Sequence, residues 1–546
     1  MSSWTHHLII APILLPLMAG ALLVFIDERN RFAKAMLAVT ATGALLVVSL
    51  LLLQSAGKMD GTEAAGRGVY LLGNWTAPFG IVLVLDRLSA LMLVLTATLA
   101  LAALIFSLAR WHTAGAHFHT MFQFLLMGLN GAFLTGDLFN LFVFFEVMLA
   151  ASYGLMLHGS GSLRVKAGLQ YIAVNLAAAL LFLIGVSLIY GTTGTLNMAD
   201  LAVRVRDLAP EQRLLMEAGA GILGVAFLIK AGMWPVNFWL PNAYGVAAPP
   251  VAAIFAVMSK VGIYIILRLS MLVFGAESSP SAGFGLNILL FGGMATIVFG
   301  TIGVLASQAL PRLAAFSVLV SSGTMLTAIG MGNSSIAAGA LFYLASSTLT
   351  ISAFFMLIEL VERGQDAGAS VLAVTMEAYG DADDDAEEEA GVTMPGTLAI
   401  LGICFAACGI LLSGLPPLSG FIAKFAMLSA MIGAGVPDGA ISTILPSTWW
   451  IVVLIVLSGL FALIAMTRAG IRTFWASIEG TVPRVLVMEM APVMVLLLLT
   501  LTLTLQAGPV MRYMEDTLRM LDTPGIYINA VIGATRAGDA EAQGVQ

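Results

Sequence analysis

Fourteen apolar runs, each long enough to cross a bilayer as one helix, leave this chain almost no choice of fold. They lie near residues 8–26, 35–53, 80–107, 118–135, 138–157, 168–190, 215–240, 250–274, 284–307, 313–331, 335–360, 396–434, 449–467 and 487–506. A hydrocarbon core about 30 Å thick takes about 20 helical residues at about 1.5 Å each. Strands would alternate polar and apolar residues with a period of two, and "LVLTATLALAALIF" does not. Only helices and closed barrels satisfy their backbone hydrogen bonds in lipid, so the runs are expected to be helices. The expected fold class is an all-α polytopic membrane protein with about fourteen transmembrane helices. Composition agrees, because 60% hydrophobic and 10% charged residues in 546 exceed what a water-soluble chain of this size carries.

The first run lacks a basic n-region and a clear small-residue cleavage site and is followed by a second span, so it is expected to be retained. Cys404 and Cys408 stand one helical turn apart in one apolar run, a pattern that more often packs than binds metal or cycles redox state. Phosphate-binding glycine loops, metal-ligand clusters and nucleophile elbows are missing from the sequence. No cofactor, metal or nucleic-acid partner is therefore expected, and covalent enzymology has nothing to stand on. Eleven Lys and Arg residues fall in the odd-numbered loops against five in the even ones, which puts the odd loops in the cytoplasm and both termini outside. Residues 364–395 hold nine acids and no base, so the rest of the chain carries a net +2 although the whole carries −7. That acidity belongs to one cytoplasmic loop, read as a solvated linker or as a docking surface for a basic partner.

Four ionisable residues stand where lipid should forbid them: Glu146, Lys230, Lys260 and Lys424. Each lysine costs about 2.5 to 3.5 kcal/mol at a helix centre on insertion scales, a loss that function normally justifies. Removal from water favours the neutral amine and the protonated acid, so such groups can exchange protons at working pH. Glu146 lies nine residues past Asp137 and Lys260 ten past Pro250, which puts both near the bilayer midplane. Pro235 follows Lys230, while Pro416, Pro417 and Gly420 precede Lys424, so each lysine adjoins an expected helix break. Two broken spans whose lysines are 194 positions apart suggest inverted repeats meeting at a midplane ion site. The bland alternative for Glu146 and Lys230 is a packing salt bridge. Asp86, Arg87, Glu217, Arg268, Glu359 and Glu489 sit toward span ends, where they are expected to snorkel to the interface. His112, His117, His119 and His158 gather at the cytoplasmic ends of spans three to five, as solvated loop residues or as a proton feed.

The stretches "GDLFNLFVFFEVMLAASYGLMLHG", "FLIKAGMWPVNFWLPNAYGVAAPPVAAIFAVMSKVGIY" and "LLSGLPPLSGFIAKFAML" closely resemble the D-type component of the multisubunit Mrp (Mnh, Pha) cation/proton antiporters, relatives of the antiporter-like subunits of respiratory complex I. The resemblance covers nearly all fourteen runs. It implies two inverted five-helix repeats, spans four to eight (111–275) and nine to thirteen (276–363 and 396–470), with spans seven and twelve broken. Residues 1–110 would form the first three helices, 364–395 the acidic loop, and 471–546 the last helix and tail. It also implies a charged midplane axis for proton movement at Glu146, Lys230, Lys260 and Lys424. The implied partners are the A, C, E, F and G type subunits, the lipid of a prokaryotic inner membrane, H⁺, and Na⁺ or K⁺. Many relatives carry a histidine in span eleven, where this chain has Ser346, which cannot titrate. Either water bridges Lys260 to Lys424 or the route bypasses that span. The alternative function is a proton-pumping subunit of a membrane oxidoreductase, of the complex I or membrane-bound hydrogenase type; a plain assembly scaffold is the third reading.

A solvated charge run outside any span is dispensable for chemistry inside the spans. Deleting Asp381 to Glu389 is expected to leave the exchange rate within about twofold, as is usual for surface changes. Dye-reported exchange in everted vesicles checks this, and an assembled but inactive deletion would make the loop a docking or gating element.

Overall fold

The computed structural model describes residues 6–58, 68–275, 280–378, 396–433, 446–474 and 485–536, with backbone alone for 364–378 and 446–447. The acidic run 381–389 lies outside the described residues. In chain order the helices are α1 (Ala11–Phe25), α2 (Arg31–Gly57), α3 (Arg87–Ser107), α4 (Phe118–Leu134), α5 (Leu138–Met156), α6 (Ser162–Thr193), α7 (Met198–Arg204), α8 (Pro210–Ala231), α9 (Leu240–Val246) and α10 (Pro249–Leu272). They continue as α11 (Leu286–Ala306), α12 (Leu310–Gly330), α13 (Ser334–Ala378), α14 (Gly396–Ser413), α15 (Ser419–Gly433), α16 (Pro446–Phe474), α17 (Val487–Leu505), α18 (Ala507–Leu521) and α19 (Pro524–Ile532). Twelve of them, among the described residues, are long and apolar enough to cross a membrane, and α1 and α15 are shorter apolar helices. The chain is a polytopic all-α membrane protein.

Two apolar runs are each divided between two helices, as the prolines require. The run at 215–240 stops at Ala231, because Gly232 turns left-handed (φ 73°), and helix resumes only at Leu240. The run at 396–434 stops at Ser413, Gly414 takes φ 74°, and α15 begins at Ser419 beyond Pro416 and Pro417. A third run is shorter than expected. The stretch at 80–107 does not begin as helix, because Val82–Val84 (β2) pairs antiparallel with Val69–Leu71 (β1) in register Val69↔Val84. Helix α3 starts only where Asp86 closes a capping box, accepting from the Ser89 amide at 2.8 Å while its own amide donates to Ser89 Oγ at 2.9 Å.

Helices α10, α12 and α13 as far as Arg363 are buried almost all round, whereas α2, α6, α14, α16 and α17 keep broad exposed apolar faces of the kind that lipid or other apolar surfaces cover. Small residues let the inner helices approach. A Cβ at Gly262 of α10 would fall 2.6 Å from the Phe227 carbonyl oxygen of α8, so only glycine permits that contact. The helices that carry Lys230 and Lys260 thus lie backbone against backbone.

Several charges at span ends are buried in ion pairs instead of snorkelling, and at the Asp86–Arg268 end residues of the hairpin and of the C-terminal helices line the same pocket. Arg268, only 2% exposed, holds Asp86 through Nη1–Oδ2 at 2.7 Å and Nη2–Oδ1 at 3.0 Å. Its Nη2 also donates to the Tyr264 hydroxyl at 2.7 Å, which donates to the Phe133 carbonyl at 2.5 Å. Arg87 reaches Asp516 of α18 at 3.1 Å. At another span end Glu359 accepts from Trp111 Nε1 at 2.6 Å, and Arg363 bridges it to the buried Glu489 at 2.7 Å. Glu217 accepts from Ser281 Oγ at 2.8 Å. Helix α18 buries Met514, Thr517 and Leu518 at i, i+3, i+4 spacing and exposes Arg512 and Arg519, the pattern of a surface helix.

Asp86→Asn leaves Arg268 buried without its counter-charge and is expected to cost about 3 to 5 kcal/mol, seen as a lower melting temperature of the purified complex. Burial pushes the Asp86 carboxyl up, but Arg268 and the Ser89 contacts outweigh it and hold it below the ordinary range. A depressed carboxyl stabilises above its unfolded value, about 3.9, and loses that contribution only as pH falls through the lower folded one. Melting between pH 5 and 7 should therefore show no titration from this pair, and an unaltered melt for Asp86→Asn would mean the pair is not stabilising.

Candidate functional site

The Glu146 helix begins where the Asp137 carboxylate accepts the Phe139 and Asn140 amides at 2.8 and 2.9 Å. Nine residues later Glu146 is half-buried, facing a small cavity that it shares with Phe142, Phe145, Phe182, Ala226 and Lys230. Lys230 stands in the last turn of α8, where unpaired carbonyls at the helix C-terminus favour a cation. Its amine donates to Asn175 Oδ1 of α6, and Asn175 Nδ2 donates to the Tyr171 carbonyl at 2.7 Å, which sets the orientation of the amide. The amine also lies 5.9 Å from the centroid of the Phe145 ring. Glu146 and Lys230 are therefore brought to one cavity but not into direct contact; a neutral amide holds the amine.

Lys260 is fully buried in α10 and donates to Ser321 Oγ at 2.9 Å and to Ser322 Oγ at 3.3 Å, both on α12. Ser321 Oγ hydrogen-bonds Ser347 Oγ of α13 at 2.9 Å. The neighbouring Ser346 bonds Ser419 Oγ, at the first residue of α15, at 2.8 Å. On the same half-helix Lys424 reaches back across the break and donates to the Ser413 carbonyl at 3.0 Å, the last residue of α14. A Cβ at Gly414 would fall 3.0 Å from Lys424 Nζ and one at Gly459 3.4 Å from it, so two glycines make the amine's socket. Pro235, Pro416, Pro417 and Gly420 lie at or next to the two breaks.

Asn175, Ser321, Ser322, Ser347 and Ser419 were not singled out by sequence reasoning. The only signal was polarity inside apolar runs, as in "VSSGT" and "ASSTLT". That signal is ambiguous, because hydroxyls in helices commonly bond back to the preceding turn. Thr324, Thr348 and Thr350 do so here, donating to Val320, Leu344 and Ser346 carbonyls at 2.8, 2.6 and 2.8 Å. Only packing tells those threonines from the serines that reach across helices.

The histidine group is less solvated than expected. His119 and His158 are buried, and His158 Nε2 lies 2.7 Å from the Trp111 carbonyl. His112 meets His119 at 3.5 Å, and His117 pairs with Glu28 at 3.0 Å. Burial, aided by Arg31, pushes the His112 imidazole down, and burial does the same to His158 against its carbonyl contact. Among the described residues no group of three His, Cys, Asp or Glu could hold a metal ion. Cys404 and Cys408 are free and buried.

Residues 135–448, which contain all four ionisable residues and both helix breaks, match the family described as NADH:quinone oxidoreductase/Mrp antiporter, transmembrane. The chain is 63% identical over 540 residues to a Rhizobium meliloti (strain 1021) protein named as the probable D component of a K(+)/H(+) antiporter, covering 98% of this chain and 100% of that one. It is 33% identical over 533 residues to the corresponding D component of the Na(+)/H(+) antiporter of Alkalihalophilus pseudofirmus, covering 96% and 99%. Its fold superposes on a chain of the Mrp complex from Dietzia sp. DQ12-45-1b with a TM-score of 0.78 at 25% identity, covering 97% and 100%.

Gly414 combines a positive φ with a close side chain, so its replacement has two separable costs. Gly414→Ala is expected to destabilise by about 1 kcal/mol or more from backbone strain, plus a clash with Lys424. Adding Lys424→Ala removes the clash and should recover only part of the melting temperature. Full recovery would leave no cost for the backbone.

Proposed function

Because the chain belongs to the NADH:quinone oxidoreductase/Mrp antiporter family, we propose that it serves as the D-type component of a multisubunit monovalent cation/proton antiporter and carries the proton route through Glu146, Lys230, Lys260 and Lys424. The observation that carries this reading is the set of three lysine amines, each buried and each held by a neutral oxygen. A carboxylate partner would lock an amine in its charged form, whereas an amide, a hydroxyl or a carbonyl accepts its hydrogen bond without fixing its charge.

In the proposed cycle ionised Glu146 draws positive charge onto Lys230 across the shared cavity, and protonation of Glu146 releases it. The freed proton passes to Lys260, whose helix meets that of Lys230 at Gly262, and then toward Lys424. Proton uptake along this line is coupled to expulsion of Na⁺ or K⁺ by the complex. The two helix breaks would be equivalent positions in two inverted repeats, spanning 111–275 and 276–363 with 396–470. We place the chain in a prokaryotic inner membrane, with the basic loops in the cytoplasm and both termini outside. Its exposed apolar faces would meet lipid and the A, C, E, F and G type subunits. The family also covers oxidoreductase subunits, in which an electron-transfer partner would drive the same line of groups. Identity of 63% over nearly the whole chain to a protein named for K⁺/H⁺ antiport favours the antiporter.

Glu146→Gln and Lys424→Met test the reading together. Methionine keeps the stem of the side chain and fits between Gly414 and Gly459, where a guanidinium would crowd. Both variants are expected to assemble and to lose cation-induced dequenching of a pH dye in everted vesicles, measured at equal complex content. Wild-type turnover in either one removes that residue from the route, and wild-type turnover in both returns the charges to a scaffolding role.

A further inference from the structure

We propose that the adjacent serines Ser346 and Ser347 of α13 form a hydroxyl relay that passes protons, and not the cation, between Lys260 and the second broken helix. The inference rests on the proton route proposed above and assigns its least obvious segment. Ser347 faces α12 and Ser346 faces α15, so successive positions on one helix join two hydrogen-bonded pairs that no single side chain could span. Helix α13 is buried all round here, and both serines and their partners Ser321 and Ser419 are buried.

The proton balance follows from the donors. Lys260 Nζ donates to Ser321 Oγ. A hydroxyl has one proton to give and two lone pairs to accept with, so Ser321 can take that proton while releasing its own to Ser347 Oγ. No hydroxyl gains net charge. Ser346 and Ser419 repeat the exchange, with one water carrying the proton between the neighbouring serines and a second carrying it from Ser419 to Lys424. Rotation of the hydroxyls resets the chain.

The same geometry argues against cation passage. A dehydrated cation needs a cage of oxygens free to turn toward it, as hard cations are bound by several carbonyl, carboxylate or hydroxyl oxygens. Here the hydroxyls are spent on one another, on Lys260 and on the Leu344 carbonyl at 2.8 to 3.4 Å. Among the described residues these contacts include no carboxylate.

Ser347→Ala and Ser346→Ala, assayed in the assembled complex in everted vesicles, separate the possibilities. Each is expected to lower maximal turnover by about tenfold or more while leaving the half-saturating Na⁺ or K⁺ concentration unchanged. The double variant should be at most about twofold slower than the slower single one, because the times of steps in series add instead of multiplying. Ser346→Thr and Ser347→Thr, which keep the hydroxyl, should restore turnover. Should Ser347→Ala fail to assemble, Ser321→Ala interrupts the same pair from α12 while Lys260 keeps Ser322. Wild-type turnover in the alanine variants overturns the relay, as does a raised half-saturating cation concentration, which would make the hydroxyls cation ligands. Lys260→Met, run in parallel, separates the two levels of inference. If it is inactive while the serine variants are active, the relay alone falls; if it too is active, the proton route falls with it.

Discussion

An amine buried among apolar helices must find its hydrogen-bond partners inside the protein, and the arrangement of the interior follows from where those partners come. Lys230 takes an amide from α6, Lys260 two hydroxyls from α12, and Lys424 a carbonyl that the break between α14 and α15 leaves unpaired. An unpartnered charge in such a place would cost far more than any of these contacts returns, so each partner helix is tied to the position of its lysine. The broken helices have the same origin. Interrupting a helix frees carbonyls at its end, and a buried cation is the group best able to use them.

Close approach is what makes those contacts possible. Gly262 brings the Lys260 helix against the Lys230 helix, and Gly414 and Gly459 clear the space that the Lys424 amine fills. In lipid, where apolar surface gains little by meeting other apolar surface, small residues let helices pack on shape and polar side chains hydrogen-bond across the seam. The three most enclosed helices, α10, α12 and α13, are the ones that supply Lys260 and most of its hydroxyl surroundings. The exposed helices around them are apolar on their outer faces and carry little of that chemistry.

Fold and ionisable residues were legible in the sequence for one reason: lipid penalises polarity so strongly that both the apolar runs and the exceptions to them stand out. Pro235, Pro416 and Pro417 marked the breaks because proline cannot continue the hydrogen-bond ladder. The serines were not legible, since Ser347 and Thr348 are both hydroxyls in one run and both bond back to the Leu344 carbonyl, yet Ser347 also reaches across to Ser321. Span-end charges misled for a related reason. Arg268 and Glu489 were expected to reach the interface, but both are buried in ion pairs: a β-hairpin and C-terminal helices that hydropathy does not reveal enclose the Arg268 end, and Arg363 of α13 holds Glu489.

The buried charges therefore fall into two chemical kinds. Asp86 with Arg268, and Glu359 and Glu489 with Arg363, are opposite charges in direct contact, a geometry that suits them to holding helix ends together. Lys230, Lys260 and Lys424 have no such counter-charge in direct contact, and their contacts are with an aromatic ring, an amide, hydroxyls and a carbonyl. Cost alone would favour giving these amines counter-charges as well, since a buried charge is least costly when paired. Their neutral surroundings preserve the freedom to change charge, which a structural ion pair removes and a proton route requires. The division between charges paired directly and amines held by neutral oxygens is thus the feature of this interior that packing stability alone does not explain.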